Sequence, residues 1–197
     1  MFVKICGLTD QATIDAAVEA GVDALGFVFA DSVREIAPAQ ARELCRSLPA
    51  DTIRVAVMHH PSRDHFLNVV ENFEPDWIQT DAEDFAALPA APSTQRLAVF
   101  REGATHRMTD FPARLLFEGR VSGKGTTADW DEAARIAKAT ELILAGGLDP
   151  ENISAAIAHV RPFGVDVSSG VESQRGKKDA KKIKEFVARV RVQEFNQ

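Results

Sequence analysis

Eight times along this chain a short apolar run is followed by a longer amphipathic one, and that rhythm restricts the fold more than any other feature. "FVKIC" reads as a strand and "DQATIDAAVEAG" as its helix, with Asp10 as the cap and Gly21 as the closing residue. The unit recurs as "DALGFVF" with "APAQARELCRSL", where Pro38 falls in the first helical turn. "IRVAVM" with "SRDHFLNVVENF" is the third, and "DWIQ" with "AEDFAAL" is a shorter fourth. "QRLAVF" is a fifth strand with a poorly formed helix behind it. "ARLLFE" precedes "ADWDEAARIAKA", "ELILAGG" precedes "DPENISAAIAHV", and "FGVDV" precedes the closing "DAKKIKEFVARV".

Strands that alternate with helices pair in parallel through right-handed crossovers. Eight units in 197 residues predict a compact (β/α)8 TIM barrel, lean beside the ~250 residues usual for that fold. The expectation is one domain over residues 1–197, with no linker or low-complexity tract. An open doubly wound sheet is the rival. It normally shows G-x-G-x-x-G after the first strand, and "CGLTDQ" does not supply it.

Charge narrows the partners. A net charge of -6 argues against a nucleic-acid or anionic-membrane surface, but allows a small anion held by backbone N–H groups and an arginine. Cys6 and Cys45 have neither metal-ligand spacing nor the makings of a disulfide framework. No apolar run approaches the ~20 residues of a membrane span, and "MFVKICGLTD" lacks the pattern of a secretory signal. The expectation is a cytoplasmic protein.

In such barrels the chemistry sits at the carboxyl ends of the strands. Alternation along the first strand turns Val3 and Ile5 toward the helices, and Lys4 and Cys6 toward the interior. A buried lysine requires a partner, and Asp166 on the neighbouring eighth strand is the candidate. Gly146 and Gly147 after the seventh strand allow close backbone approach, with Asp149 and Pro150 opening the next helix. Ser168, Ser169 and Gly170 suit the start of a short helix aimed at an anion. Turns after strands seven and eight are where these barrels hold phosphate, although two ordinary turns would use the same residue types. Arg34 follows strand two and Glu118 ends strand six, so a cation, a carboxyl group and the Cys6 thiol share one rim. Cys6 as a small core residue is the plain alternative.

These residues also carry a resemblance. "VKICGLT", "GVDALGFVF", "LILAGGLDPENI", "RPFGVDVSSGVES" and the "DW" at 129–130 occur in the order seen in the phosphoribosylanthranilate isomerase family, across nearly the whole chain. The resemblance implies a (β/α)8 barrel of tryptophan biosynthesis that works without cofactor or metal on a small phosphosugar. The implied reaction is the Amadori rearrangement of N-(5-phosphoribosyl)anthranilate to an aminodeoxyribulose phosphate. It makes Cys6 the general base and Glu118 the general acid, where the family has an aspartate. It makes Arg34 the holder of the anthranilate carboxylate, and Gln79 and Asp166 ligand-side residues. It makes Gly146, Gly147, Ser168, Ser169 and Gly170 the phosphate cradle. The chain departs from the family pattern at "SVR", at "QTDAED", where Asp81 replaces a histidine, and at "SGKG" over 122–125. The resemblance leaves monomer and homodimer both open.

The chemistry fits those residue types. Opening an aminoaldose ring requires a proton on the ring oxygen, and the resulting Schiff base acidifies C2 for removal by a base. A free thiol is only a few per cent ionised at neutral pH, so Lys4 is expected to raise the thiolate fraction of Cys6. Two rivals remain. A metal-dependent phosphosugar epimerase would need histidines at strand ends, and His59, His60, His65, His106 and His159 show no such set in sequence. A non-catalytic binding barrel would need neither Cys6 nor Glu118.

Overall fold

The computed structural model describes residues 1–103, 111–120 and 127–194. Eight parallel strands close in sequence order, the last pairing with the first. They are β1 (Phe2–Cys6), β2 (Ala24–Val28), β3 (Ile53–Val57), β4 (Trp77–Asp81), β5 (Gln95–Arg101), β6 (Arg114–Glu118), β7 (Glu141–Leu144) and β8 (Gly164–Val167). The helices are α1 (Gln11–Glu19), α2 (Pro38–Leu44), α3 (Arg63–Phe73), α4 (Trp130–Ile136), α5 (Ile153–Val160) and α6 (Ala180–Glu194). A 3-10 turn over Ala82–Ala86 stands in for the helix after β4. The weak helix expected after β5 and the "SGKG" segment lie outside the described residues. No helix among the described residues is long and apolar enough to cross a membrane.

Local chemistry sets most boundaries. The Asp10 carboxylate accepts the Thr13 N–H at 3.0 Å and opens α1, and Gly21 takes the left-handed φ of 80° that turns the chain toward β2. Ser62 caps α3 by accepting the His65 N–H. Pro38 begins α2, where its missing N–H costs nothing. One expectation needs correction. Asp149 caps the turn ahead of α5 rather than α5 directly: it accepts the Asn152 N–H at 2.8 Å while Asn152 Oδ1 accepts the Asp149 N–H at 3.0 Å. That reciprocal pair closes a turn first, so α5 starts only at Ile153.

The alternation predicted for β1 holds. Val3 and Ile5 join the shell between strands and helices, with Leu25, Phe27, Leu115, Phe117 and Val165. Inside the barrel, Ala24, Val55, Trp77, Leu97, Leu116 and Ile143 form a second core. Its floor is aromatic: Phe2 stacks on Trp77 and Phe163, and the Arg114 guanidinium lies over both Trp77 and Phe163. With the floor sealed by side chains, the open end is the carboxyl end of the strands.

After β8, which a sequence reading ends in one short helix, the chain makes a 3-10 turn (Ser169–Val171) and then a small antiparallel hairpin, β9 (Glu172–Gln174) and β10 (Lys177–Lys178). Segments of three and two residues have too little periodicity to be seen in sequence.

Candidate active site

Cys6 ends β1 beside Gly26 of β2, nearly buried, with its thiol on a cavity of about 490 Å³ at the barrel mouth. A Cβ on Gly26 would stand 3.1 Å from both Cys6 Sγ and Lys4 Nζ, so any larger residue would press these two groups back by a few tenths of an ångström. One layer down, Lys4 is fully buried and donates from Nζ to Asp166 Oδ1 at 2.8 Å. Burial alone would lower the lysine's pKa; Asp166 and Cys6 outweigh it and raise it. Lys4 pulls the thiol toward thiolate as expected, but the net shift is upward. Burial pushes Cys6 up and Asp166 adds to that, while Lys4 and Lys178 pull down without prevailing. Lys4's charge is shared with Asp166, so less of it is available to the sulfur.

Glu118 ends β6 and opens on the same cavity. Its Oε1 accepts from Arg101 Nη1 at 2.5 Å, and Arg101 Nε donates to Asp81 Oδ1 at 2.8 Å. Asp81, Arg101 and Glu118 thus form a charge chain over the ends of β4, β5 and β6. Sequence reasoning missed Arg101, although a charged residue closing an apolar strand is the signal by which Glu118 was found. His59 and His60 follow β3 and meet the chain: His59 Nδ1 lies 2.8 Å from Asp81 Oδ2, and His60 Nδ1 lies 2.8 Å from Asp84 Oδ1. Ligand atoms of His59, His60 and Asp81 fall within 4.8 Å of one another, the one such group found among the described residues. In sequence these histidines belonged to no strand-end set; β4 running on to Asp81 is what assembles one. Within it His59 Nδ1 pairs with Asp81 Oδ2, while His60 Nδ1 and Asp81 Oδ1 are engaged by Asp84 and Arg101.

Arg34 is buried and bound bidentately to Glu172, Nε to Oε1 at 2.6 Å and Nη2 to Oε2 at 3.0 Å. Both N–H groups of Nη1 and the second on Nη2 are left to face a ligand. Glu172 also accepts from Gly176 N–H at 3.0 Å and Lys178 Nζ at 2.9 Å. Burial pushes this carboxyl up, but Arg34, Gly176 and Lys178 outweigh it and hold the pKa at about 2. A depressed carboxyl pKa stabilises the fold above its ordinary value of 4.5, and the contribution drains away as pH falls toward about 2. Acid denaturation should therefore steepen across that window, and Glu172→Gln should flatten it, at a cost in stability near neutrality. Unchanged pH dependence in the variant would show that another carboxylate governs.

Gly146 and Gly147 both adopt left-handed φ, 86° and 65°. Ser168 and Ser169 line the cavity with them, whereas Gly170 does not; it packs behind, where an added Cβ would run into the Leu148 carbonyl oxygen. The two turns are in van der Waals contact, which lets both line one wall of the cavity. Lys178 braces them from behind, donating to the Ser168 carbonyl at 2.9 Å. Gln79, buried on β4, also lines the cavity, and its Oε1 has no hydrogen-bond partner among the described residues. A buried unpaired acceptor beside a cavity marks a position where a ligand donor would be stabilising.

A closed parallel barrel whose thiol, carboxylates, arginines and glycine-rich turns converge on one mouth is a (β/α)8-barrel enzyme. Residues 3–189 match the family model described as N-(5'phosphoribosyl)anthranilate (PRA) isomerase. The chain belongs to that family and is an isomerase. It is 40% identical over 193 residues to N-(5'-phosphoribosyl)anthranilate isomerase of Streptococcus pneumoniae serotype 4, covering 96% of this chain and 95% of the relative. Among solved structures, phosphoribosyl anthranilate isomerase from Thermus thermophilus superposes with a TM-score of 0.86 at 31% identity, covering 98% of this chain and 100% of that one. A second, solved in complex with reduced 1-(o-carboxyphenylamino)-1-deoxyribulose 5-phosphate, gives 0.78 at 30% identity, covering 98% and 99%.

Proposed function

We propose that this enzyme isomerises N-(5'-phosphoribosyl)anthranilate with Cys6 as general base and Glu118 as general acid. The observation that carries the assignment is a buried thiol and a strand-end carboxyl group opening on one cavity, with two glycine-rich turns on its wall. Glu118 donates a proton to the ring oxygen as the C1–O bond breaks, leaving the open-chain Schiff base. Cys6 then removes the C2 proton, and the enamine that forms is the enol of the ketose product. Charge balances throughout, because the proton given at the oxygen is matched by the one taken at carbon.

An ionised carboxylate cannot donate, and Glu118 Oε1 is engaged by Arg101 Nη1. Proton delivery therefore requires the Arg101–Glu118 pair to loosen when substrate binds. The substrate's own carboxylate is a competitor for arginine at that rim. Gln79 Oε1 accepts from a substrate hydroxyl or amine. Asp166, still exposed to the cavity beside its bond to Lys4, orients a sugar hydroxyl. Arg34 offers Nη1 to the anthranilate carboxylate, and Gly146, Gly147, Ser168 and Ser169 hold the phosphate through backbone N–H groups and hydroxyls, with Gly170 packed behind them. Both cysteines are free and buried, which suits a reducing compartment such as the cytoplasm.

Turnover of freshly prepared N-(5'-phosphoribosyl)anthranilate tests the reading as a whole. Glu118→Gln keeps the shape and removes the proton, and should lower kcat by ~10² or more. Full activity in that variant would assign the acid to another group. Glu118→Asp should retain much of the rate, since the carboxyl group survives.

A further inference from the structure

Four arginines line the cavity: Arg34, Arg101, Arg120 and Arg175; no lysine does. Three already face carboxylates. Arg34 is held by Glu172, Arg101 by Asp81 and Glu118, and Arg120 by Glu102 at 3.3 Å. Arg175 makes no hydrogen bond or ion pair with its side chain among the described residues. It is the cavity's one uncommitted cation there. The turns at Gly146–Gly147 and Ser168–Gly170 supply only neutral donors, and the nearby Lys178 ammonium is spent on Glu172 and Ser168. A phosphate dianion seated on those turns would lack a counter-charge.

The position of Arg175 matches that need. It lies at the tip of the β9–β10 hairpin, which leaves the cradle directly after Gly170. The tip is anchored. Gly176 has a left-handed φ of 84°, its N–H donates to Glu172 Oε2, and its Cα packs so close to Val33 that an added Cβ would stand 3.1 Å from the Val33 oxygen. The backbone under Arg175 is thus tied to the loop that carries Arg34, while the guanidinium itself stays exposed and unpaired. Such an arrangement delivers a free charge from a fixed point, and a guanidinium binds phosphate oxygens two at a time.

We infer that Arg175 is a substrate-binding residue that neutralises the substrate's phosphate from above the glycine–serine cradle. The inference rests on the phosphate-cradle reading of those turns. Its test measures KM and kcat of Arg175→Ala and Arg175→Lys, with competitive inhibition by inorganic phosphate and, separately, by anthranilate. In Arg175→Ala, KM and the inhibition constant of phosphate should rise together by about tenfold, the scale of one charge-assisted hydrogen bond. The loss should fall on KM rather than kcat, anthranilate inhibition should be unmoved, and lysine should restore part of the affinity. Unchanged KM and phosphate inhibition in the alanine variant would overturn the inference while leaving the cradle intact. A shift in anthranilate inhibition alone would also overturn it, by moving the arginine to the carboxylate end. A wild-type enzyme that turns over substrate but ignores inorganic phosphate would remove the cradle, and the inference with it.

Discussion

Cys6→Ala should lower kcat by ~10² or more while the protein still melts close to the wild-type temperature. The substitution removes a thiol and leaves a methyl group, and the vacated space opens on the cavity rather than within the packed shell, so little cohesion is lost. The rate effect is large because the other ionisable groups near the end of β1 are already engaged with each other. Lys4 and Asp166 are bound to one another beneath the sulfur. The direction of the thiol's pKa adds a second readout. Burial, reinforced by Asp166, keeps Cys6 protonated beyond the ordinary thiol range, so the base form becomes commoner as pH rises. Activity limited by Cys6 should accordingly climb from neutral into alkaline solution, and that limb should vanish in the alanine variant. Wild-type turnover in Cys6→Ala would remove the thiol from the mechanism.

Lys4→Met should cost about 3–5 kcal/mol of stability, the scale for breaking a buried ion pair from one side. The lysine is fully enclosed, and its ammonium is 2.8 Å from Asp166 Oδ1. Methionine fills much of the same volume but leaves a carboxylate in a poorly solvated place without its cation. Adding Asp166→Asn to Lys4→Met should recover a large part of the loss, because the stranded charge is then gone. Chemical denaturation of the two variants decides the matter. A Lys4→Met protein within about 1 kcal/mol of wild type would mean that solvent at the cavity already shields Asp166.

The barrel itself was legible because its strands bury their outer face in one apolar shell, and burial writes a pattern of apolar residues into the chain. Gly21, Pro38 and Asp10 marked their turns for equally local reasons. The inward direction of Lys4 and Cys6 followed from strand alternation alone. The turn at Gly146 and Gly147 was also readable, since a left-handed backbone admits few residue types. What went unread involves partners distant in sequence. Arg34 appeared to be a free cation because Glu172, 138 residues later, is invisible from position 34. Arg101 gave no sign of joining Asp81 to Glu118, and "HH" at 59–60 gave no sign of meeting Asp81. The same holds for the β9–β10 hairpin, whose strands are too short to carry a period.

By itself the sequence determined the order of strands, their inner and outer faces, and which reactive groups stand at the carboxyl rim. These follow from the hydrophobic effect acting on each segment and from backbone preferences of single residues. Only the tertiary structure decided which charges are spent and which are available. Barrel closure brings β8 against β1 and the last hairpin against the loop after β2, and a charge's availability depends on distances of a few ångströms between groups that the chain holds far apart.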